Sequence, residues 1–323
     1  MIETFKYLIE NCINIKAETV GVIYDKTTEI LVAELFKALE ILNIRIISRK
    51  IPTSDRHGYE PSKDLFEIMM NTQAIMCITK YSLAHTKLRN DLAAYGIPFL
   101  SMPDYDQNMI GDPSLKADYL SVQPTVYNFS NKLTECSEIH VISELGTDLF
   151  IDASGRKGNC CPGYVDSHNL LGSPPDIEAN IAPVEENTHG VVVVDGSITD
   201  ARVGLLSKPV TLSVNDGRIT SFDGEECAVV DAVRMIFENV ADEKAYIVGE
   251  FGVGFNDKAQ LCGNMLIDEG TKGCIHFGIG SNWTIGGKNR VGFHLDFVMR
   301  KPSVFLDNEC VIDKGEFVNE RGY

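Results

Sequence analysis

The sequence predicts an α/β protein in two parts: an N-terminal βαβ domain with a mainly parallel sheet over residues 1–125, and a β-rich α+β domain over residues 126–323. Two observations predict it. Short apolar runs alternate with helix-period segments through the first third, the pattern of βαβ units. After residue 125 the helix signals thin out, and Val- and Ile-rich runs punctuated by Asp-Gly and Asp-Asn turn pairs take over.

The elements follow in order. TFKYLIENCI places Phe5, Leu8, Ile9 and Cys12 on one helical stripe. TVGVIYD (Thr19 to Asp25) is a continuous apolar run, as in a strand buried on both faces. TTEILVAELFKALEILN is the next helix, with Thr27 or Thr28 as its N-cap. IRIISRKI reads as strand, PSKDLFEIMMNT as helix with Pro61 near its start, and AIMCITK as strand. HTKLRNDLAAYG is helical and stops at Gly96, and PFLSMP is the following strand.

In the second part, GVVVVDGSI, VTLSVNDGRITSF and SVFLDNECVIDKGEF each set β-rich runs around hairpin turns. CAVVDAVRMIFEN is the clearest helix there. Residues 155–176, rich in Gly, Pro, Ser and Asn, read as a long loop: a lid or binding segment, or a structural excursion.

Composition narrows the function. Lys and Arg total 29 against 46 Asp and Glu, a net charge of −17. That field repels phosphate backbones and anionic lipid surfaces, so neither nucleic acid nor membrane is an expected partner. A hydrophobic fraction of 44% suffices for a sizeable core. The cysteines number nine and none forms a C-x-x-C pair, which fits free thiols in a reducing compartment. The N-terminal segment lacks a basic region followed by an apolar core, and the expected location is the cytoplasm.

The chemistry concentrates near the C-terminus. In VGFHLDFVM, Phe293, Leu295 and Phe297 alternate with His294 and Asp296, so the imidazole and the carboxylate project from one face of a strand. That pair is half a site for Zn, Mn, Fe or Co. His276 lies in GCIHFGIG, where Cys274 and Gly278 share its face and leave it accessible. Glu250 sits inside the apolar run AYIVGEFGVGFN, where a carboxylate needs a partner. Asp268 and Glu269 fall in a turn or short helix. Glu250, Glu269 (or Asp268), His276, His294 and Asp296 therefore lie within 47 residues, a donor set for one metal or a close pair. Carboxylates so crowded raise one another's pKa unless a cation intervenes. The Gly-x-Gly pairs at 252–254 and 278–280 complete no Gly-x-Gly-x-x-Gly, so no dinucleotide site is read.

These segments carry a resemblance. GEFGVGFN, GNMLIDE, HFGIG, GGKN, HLD and VFLD, in that order, resemble the M29 metallopeptidases, the aminopeptidase T and leucyl aminopeptidase-like group. AHTKLRNDLAAYGIPFLSMP and PPDIEANIAPVEENTHGVVVVDGSI are similar to earlier segments of that family, so the likeness runs from about residue 70 to the end. It implies metal ligation by Glu250, Glu269, His276, His294 and Asp296, with Glu250 or Glu269 relaying a proton. The family's tyrosine, seven residues after the first histidine, is replaced here by Trp283, whose indole offers no lone pair. The resemblance extends to 2,5-dihydroxypyridine 5,6-dioxygenase-like proteins, which hold one non-haem iron. There His294 and Asp296 are joined by His276, with Glu250 competing for that place.

Two enzyme readings follow, and a third of another class. The first is an aminopeptidase-type hydrolase using Zn, Co or Mn to activate water on a short peptide. The second is an Fe(II) ring-opening dioxygenase acting on a small (hetero)aromatic diol, with Trp283 as pocket wall. The third is a catalytically silent relative used for binding or assembly. The complete carboxylate set puts the aminopeptidase first. Further pocket candidates are His85, Glu178 and His189, and Lys288 and Arg290 could meet an anionic substrate group. The resemblance also implies a homodimer.

Overall fold

A computed structural model describes residues 1–318. It shows the mixed α/β class, with one parallel sheet and two large antiparallel ones. The chain divides into two compact units. The first comprises Met1–Ser121 and Gly163–Pro175; the second comprises Val122–Pro162 and Asp176 onward.

In the first unit, helix α1 (Ile2–Cys12) buries Phe5, Leu8, Ile9 and Cys12, the stripe read from the sequence. Strands β1 (Thr19–Tyr24), β2 (Arg45–Lys50), β3 (Ala74–Ile78) and β4 (Phe99–Ser101) alternate with α2 (Glu29–Ile41), α3 (Asp64–Met69) and α4 (Lys87–Ala94). The short helix α5 (Gln107–Gly111) follows. The order β2-β1-β3-β4 is parallel throughout. Thr28 stands at the N-cap position of α2, as expected, but its hydroxyl donates to the Ile78 carbonyl at 2.7 Å instead of capping an amide. Asp25 caps the 3-10 turn of residues 26–28 ahead of the helix, accepting the Thr27 amide at 2.8 Å. Thr86 caps α4, and Gly96 follows it at φ +74°.

Residues 155–176 are not one loop. They contribute two short strands, and Gly163–Pro175 returns to the first unit. There Leu171–Gly172 (β8) adds a fifth parallel strand beside β4. Single-sequence patterning misses a two-residue strand whose only support is a distant partner.

The second unit takes in most of helix α6 (Tyr119–Glu135), which the polar, Pro124-containing sequence does not announce. Pro124 lies inside the helix, past its first turn, and removes one i to i−4 backbone hydrogen bond there. Val126, Phe129 and Leu133 form its buried stripe, and the Phe129 ring lies 5.5 Å from that of Phe255.

The remaining elements are β5 (Glu138–Ile142), β6 (Asp148–Asp152), β7 (Asn159–Cys161), β9 (Glu178–Ile181), β10 (His189–Val194), β11 (Ser197–Ile198), β12 (Gly204–Leu205), β13 (Val210–Asn215) and β14 (Arg218–Gly224). After them come α7 (Cys227–Glu238), β15 (Val248–Gly254), α8 (Met265–Asp268), β16 (Cys274–Gly280), β17 (His294–Arg300), β18 (Ser303–Leu306), β19 (Glu309–Asp313) and β20 (Glu316–Phe317). They form an eight-stranded sheet, β14-β13-β10-β6-β5-β18-β19-β20, and a seven-stranded sheet, β12-β11-β17-β16-β15-β9-β7.

Two of the three expected turn regions are hairpins, with left-handed pairs Asp216–Gly217 and Asp307–Asn308 at their tips. The Asp195–Gly196 turn is not: β10 belongs to the eight-stranded sheet and β11 to the seven-stranded one, so the chain crosses between sheets there. The seven-stranded sheet buries Phe251, Phe277, Phe297 and Ile181. Phe297 meets Phe237 of α7 at 6.2 Å, and Phe237 meets Phe222 of β14 at 5.0 Å. Each such side chain contributes roughly 1.5–3 kcal/mol by leaving water.

Candidate metal centre

Strand register gathers the polar groups on one face. Across β17, β16, β15 and β9, Asp296 stands opposite Gly278, Gly278 opposite Glu250, His276 opposite Gly252, and Gly254 opposite Glu178. Opposed residues of antiparallel strands share a face. His294, Asp296, His276, Glu250 and Glu178 thus project together, while the phenylalanines between them pack on the other side.

Glycine lets the imidazoles lie across their neighbours. A Cβ on Gly252 would stand 2.1 Å from Cε1 of His276, and one on Gly278 would stand 2.5 Å from Cε1 of His294. Each ring therefore reaches over an intervening strand. His276 on β16 crosses β15, bringing Nε2 to 3.1 Å from Oε2 of Glu178 on β9. His294 on β17 crosses β16, bringing Nε2 to 3.2 Å from Oε2 of Glu250 on β15. The same Nε2 is 3.0 Å from Oδ1 of Asp296. Nδ1 of His294 donates to the carbonyl of Ser281 at 2.9 Å, which leaves Nε2 as its ligating atom. The His294 side chain is 35% exposed, so the site opens to solvent there, while Glu250 and Asp296 are buried.

Two donor groups result: Glu178, Glu250 and His276, and Glu250, His294 and Asp296, each with ligand atoms within 4.8 Å of one another. Glu250 belongs to both. It, rather than His276, completes the trio with His294 and Asp296. Glu269 is in neither group; its carboxyl hydrogen-bonds Asp296. Asp268, fully buried, accepts the amides of Cys262 and Gly263 and the Ser197 hydroxyl, and so anchors a loop.

The electrostatics suit a cation. Burial pushes Asp176, Glu250 and Glu269 up, and neighbouring carboxylates push them further. Burial works against the His276 imidazolium, but Glu178, Glu250 and Asp296 outweigh it and lift the group to about 9. Asp296 and Glu250 likewise lift His294 well above its ordinary value. Asp296 is held well below the usual carboxylate range despite its burial, chiefly by His294. Buried Nδ1 of His276 and Oδ1 of Asp176 have no hydrogen-bond partner among the described residues. Buried polar atoms are rarely orphaned. Orphaned donor atoms amid crowded carboxylates fit a divalent ion, and oxygen with imidazole nitrogen suits a first-row metal.

The other expected pocket residues are not in either group. His85 is exposed in the first unit. His189 is exposed on the eight-stranded sheet, stacked on Phe150 at 5.6 Å. Trp283 is 55% exposed, with the Arg290 guanidinium 5.5 Å from its ring centre. Lys288 is exposed. Asp176 and Asn180 went unread, although Asp176, Glu178 and Asn180 alternate with Ile177, Ala179 and Ile181. That period of two was the available signal.

Comparison with known proteins places this geometry. The family model for 2,5-dihydroxypyridine 5,6-dioxygenase (NicX) matches residues 1–319. A curated 2,5-dihydroxypyridine 5,6-dioxygenase from Pseudomonas putida is 25% identical over 196 residues. That alignment covers 58% of this chain and 55% of the relative, so it spans about half the relative's length. The solved structure of 2,5-dihydroxypyridine dioxygenase from Pseudomonas putida KT2440 superposes with a TM-score of 0.76 at 18% identity, covering 98% of this chain and 96% of that one. Wild-type AmpT from Thermus thermophilus superposes with a TM-score of 0.70 at 12% identity, covering 98% of both. At these identities the two superpositions show a shared fold and nothing further. The aminopeptidase expectation, and with it hydrolysis, is overturned: the family model that spans the chain is the dioxygenase's.

Proposed function

This chain belongs to the 2,5-dihydroxypyridine 5,6-dioxygenase family, and on that premise we propose that it is a metal-dependent dioxygenase opening an electron-rich (hetero)aromatic diol. The observation that carries the reading is the convergence of Glu250, His294 and Asp296 donor atoms within 4.8 Å beside a solvent opening. These three residues would hold the ion. Bound there, Fe(II) supplies the one-electron and O2 chemistry that protein side chains lack.

The chain's own groups do the rest. The Ser281 carbonyl fixes the plane of His294. Thr199 donates to Oδ2 of Asp296 at 3.2 Å and so turns Oδ1 toward His294. His276 presents Nε2 to Glu178 at 3.1 Å on Glu250's side of the cluster. An imidazole positioned there can hold a hydroxyl of a diol or relay a proton to a ring-opened product. The apolar reverse face of the sheet keeps water from the underside.

The test is oxygen uptake by protein reconstituted anaerobically with Fe(II), offered 2,5-dihydroxypyridine and related diols. Uptake matched by loss of ring absorbance supports the reading. No uptake on any diol by protein that has taken up iron would sink it.

A further inference from the structure

Both imidazoles are tethered to one segment, residues 281–293, which joins β16 to β17. His294 is held by the Ser281 carbonyl at its start. His276 is held through Glu178, whose Oε1 accepts from Asn180 at 2.6 Å. Asn180 accepts from Asn159 at 2.9 Å, and Asn159 also donates to the Ile285 carbonyl at 3.1 Å. The segment therefore meets His294 directly, and meets Glu178, the partner of His276, only through Asn159 and Asn180.

We infer that Glu185, paired with Arg156, is a positioning residue that clamps this segment and through it aims His294. The inference rests on the metal-centre reading for its consequence, but not for its geometry. The two side chains form an ion pair only 14% and 10% exposed. Oε1 of Glu185 accepts the Lys288 amide and, at 3.0 Å, the Asn282 side-chain amide. Arg156 donates to the Gly286 carbonyl at 3.0 Å. Asn282 is fully buried, and its side-chain oxygen accepts the Asn289 amide at 2.8 Å. Asn289 in turn donates to the Gly280 carbonyl at 2.7 Å, next to Ser281. A Cβ on Gly287 would fall 2.0 Å from Asn282 Cγ, so the segment folds tightly over that amide. One carboxylate thus grips the segment at two points, and its guanidinium partner grips a third. Among the described residues, none of these groups touches the donor atoms themselves. Outer hydrogen bonds of this kind orient ligating histidines, and their loss typically costs about ten- to a hundredfold in metal affinity.

The test uses the whole protein and compares the parent with Glu185→Ala and Glu185→Gln. The primary readout is the His294 Nδ1 proton in 15N-imidazole NMR without added metal, identified by its loss in His294→Gln. The parent should show a slowly exchanging proton bonded to the Ser281 carbonyl. Glu185→Ala should speed its exchange into the range of the exposed histidines. Glu185→Gln keeps the accepting oxygen and loses the charge, so it should fall between. It also serves if the alanine variant does not fold. An Nδ1 proton as protected in both variants as in the parent overturns the clamp. Co(II) titration separates this from the metal reading. A parent that takes up no Co(II) overturns the metal centre alone, and the proton exchange still decides the clamp. Where the parent binds, Co(II) affinity should fall about tenfold or more in Glu185→Ala.

Discussion

His276 and Glu178 meet at 3.1 Å although a whole strand lies between theirs. The contact exists because Gly252, on that strand, has no side chain. Gly252→Ala should therefore push the ring off Glu178. Overpacking a tight site of this sort costs about 1–3 kcal/mol. Urea unfolding should register that loss, and an alanine variant as stable as the parent would show that the ring has room to yield.

The donor groups make a graded prediction for metal content. His294→Ala and Asp296→Asn each remove an atom from the shared trio and should bring bound metal to background in elemental analysis. Glu250→Gln should do so as well, since Glu250 serves both groups. Glu269→Gln should retain metal, because that carboxyl meets Asp296 and stands outside both groups. Metal lost equally in all four variants would place Glu269 among the ligands.

The clamp predicts a pH dependence of stability. Burial opposes ionisation of Glu185, but the Lys288 amide, Asn282 and Arg156 prevail and hold it below its ordinary 4.5. A carboxyl depressed in the folded state stabilises above its unfolded pKa and loses that contribution as pH falls through the folded value. Parent and Glu185→Gln should differ in thermal midpoint at pH 7 and converge as the pH drops below about 4.5. A constant gap across that range would mean the charge of Glu185 contributes nothing.

Beneath the site, Phe297 is fully buried against Phe237. Phe297→Ala should cost about 3–5 kcal/mol in urea unfolding. Its neighbours in sequence, Asp296 and Val298, face the other way, so the loss should appear in stability before it appears in metal content.

What the sequence announces and what it hides follow from range. His294-Leu-Asp296 and the Gly-x-Gly runs are legible because a strand's period of two is local. The left-handed Asp-Gly and Asp-Asn tips are legible because only a few residues tolerate those angles. Asp195–Gly196 has the same letters and no hairpin, since β11 pairs with β12 and with β17, the latter about a hundred residues away, and not with β10. Glu185 and Arg156 give no local signal: each is one charged residue among many until the fold brings them together. The aminopeptidase expectation failed for a related reason. A shared fold can keep similar donors in similar places while the chemistry diverges, so a ligand list alone does not name a reaction.

No single cut separates the two units. The chain passes between them at 121/122, 162/163 and 175/176. A fragment beginning at 122 would carry the 163–175 segment away from the parallel sheet it belongs to, and a fragment ending at 121 would lack the fifth strand. A protease working at the last crossing would sever the backbone two residues before Glu178 leads into β9. Every donor lies in the second unit, and Glu178 is the one that a nick at that crossing would leave two residues from a free chain end.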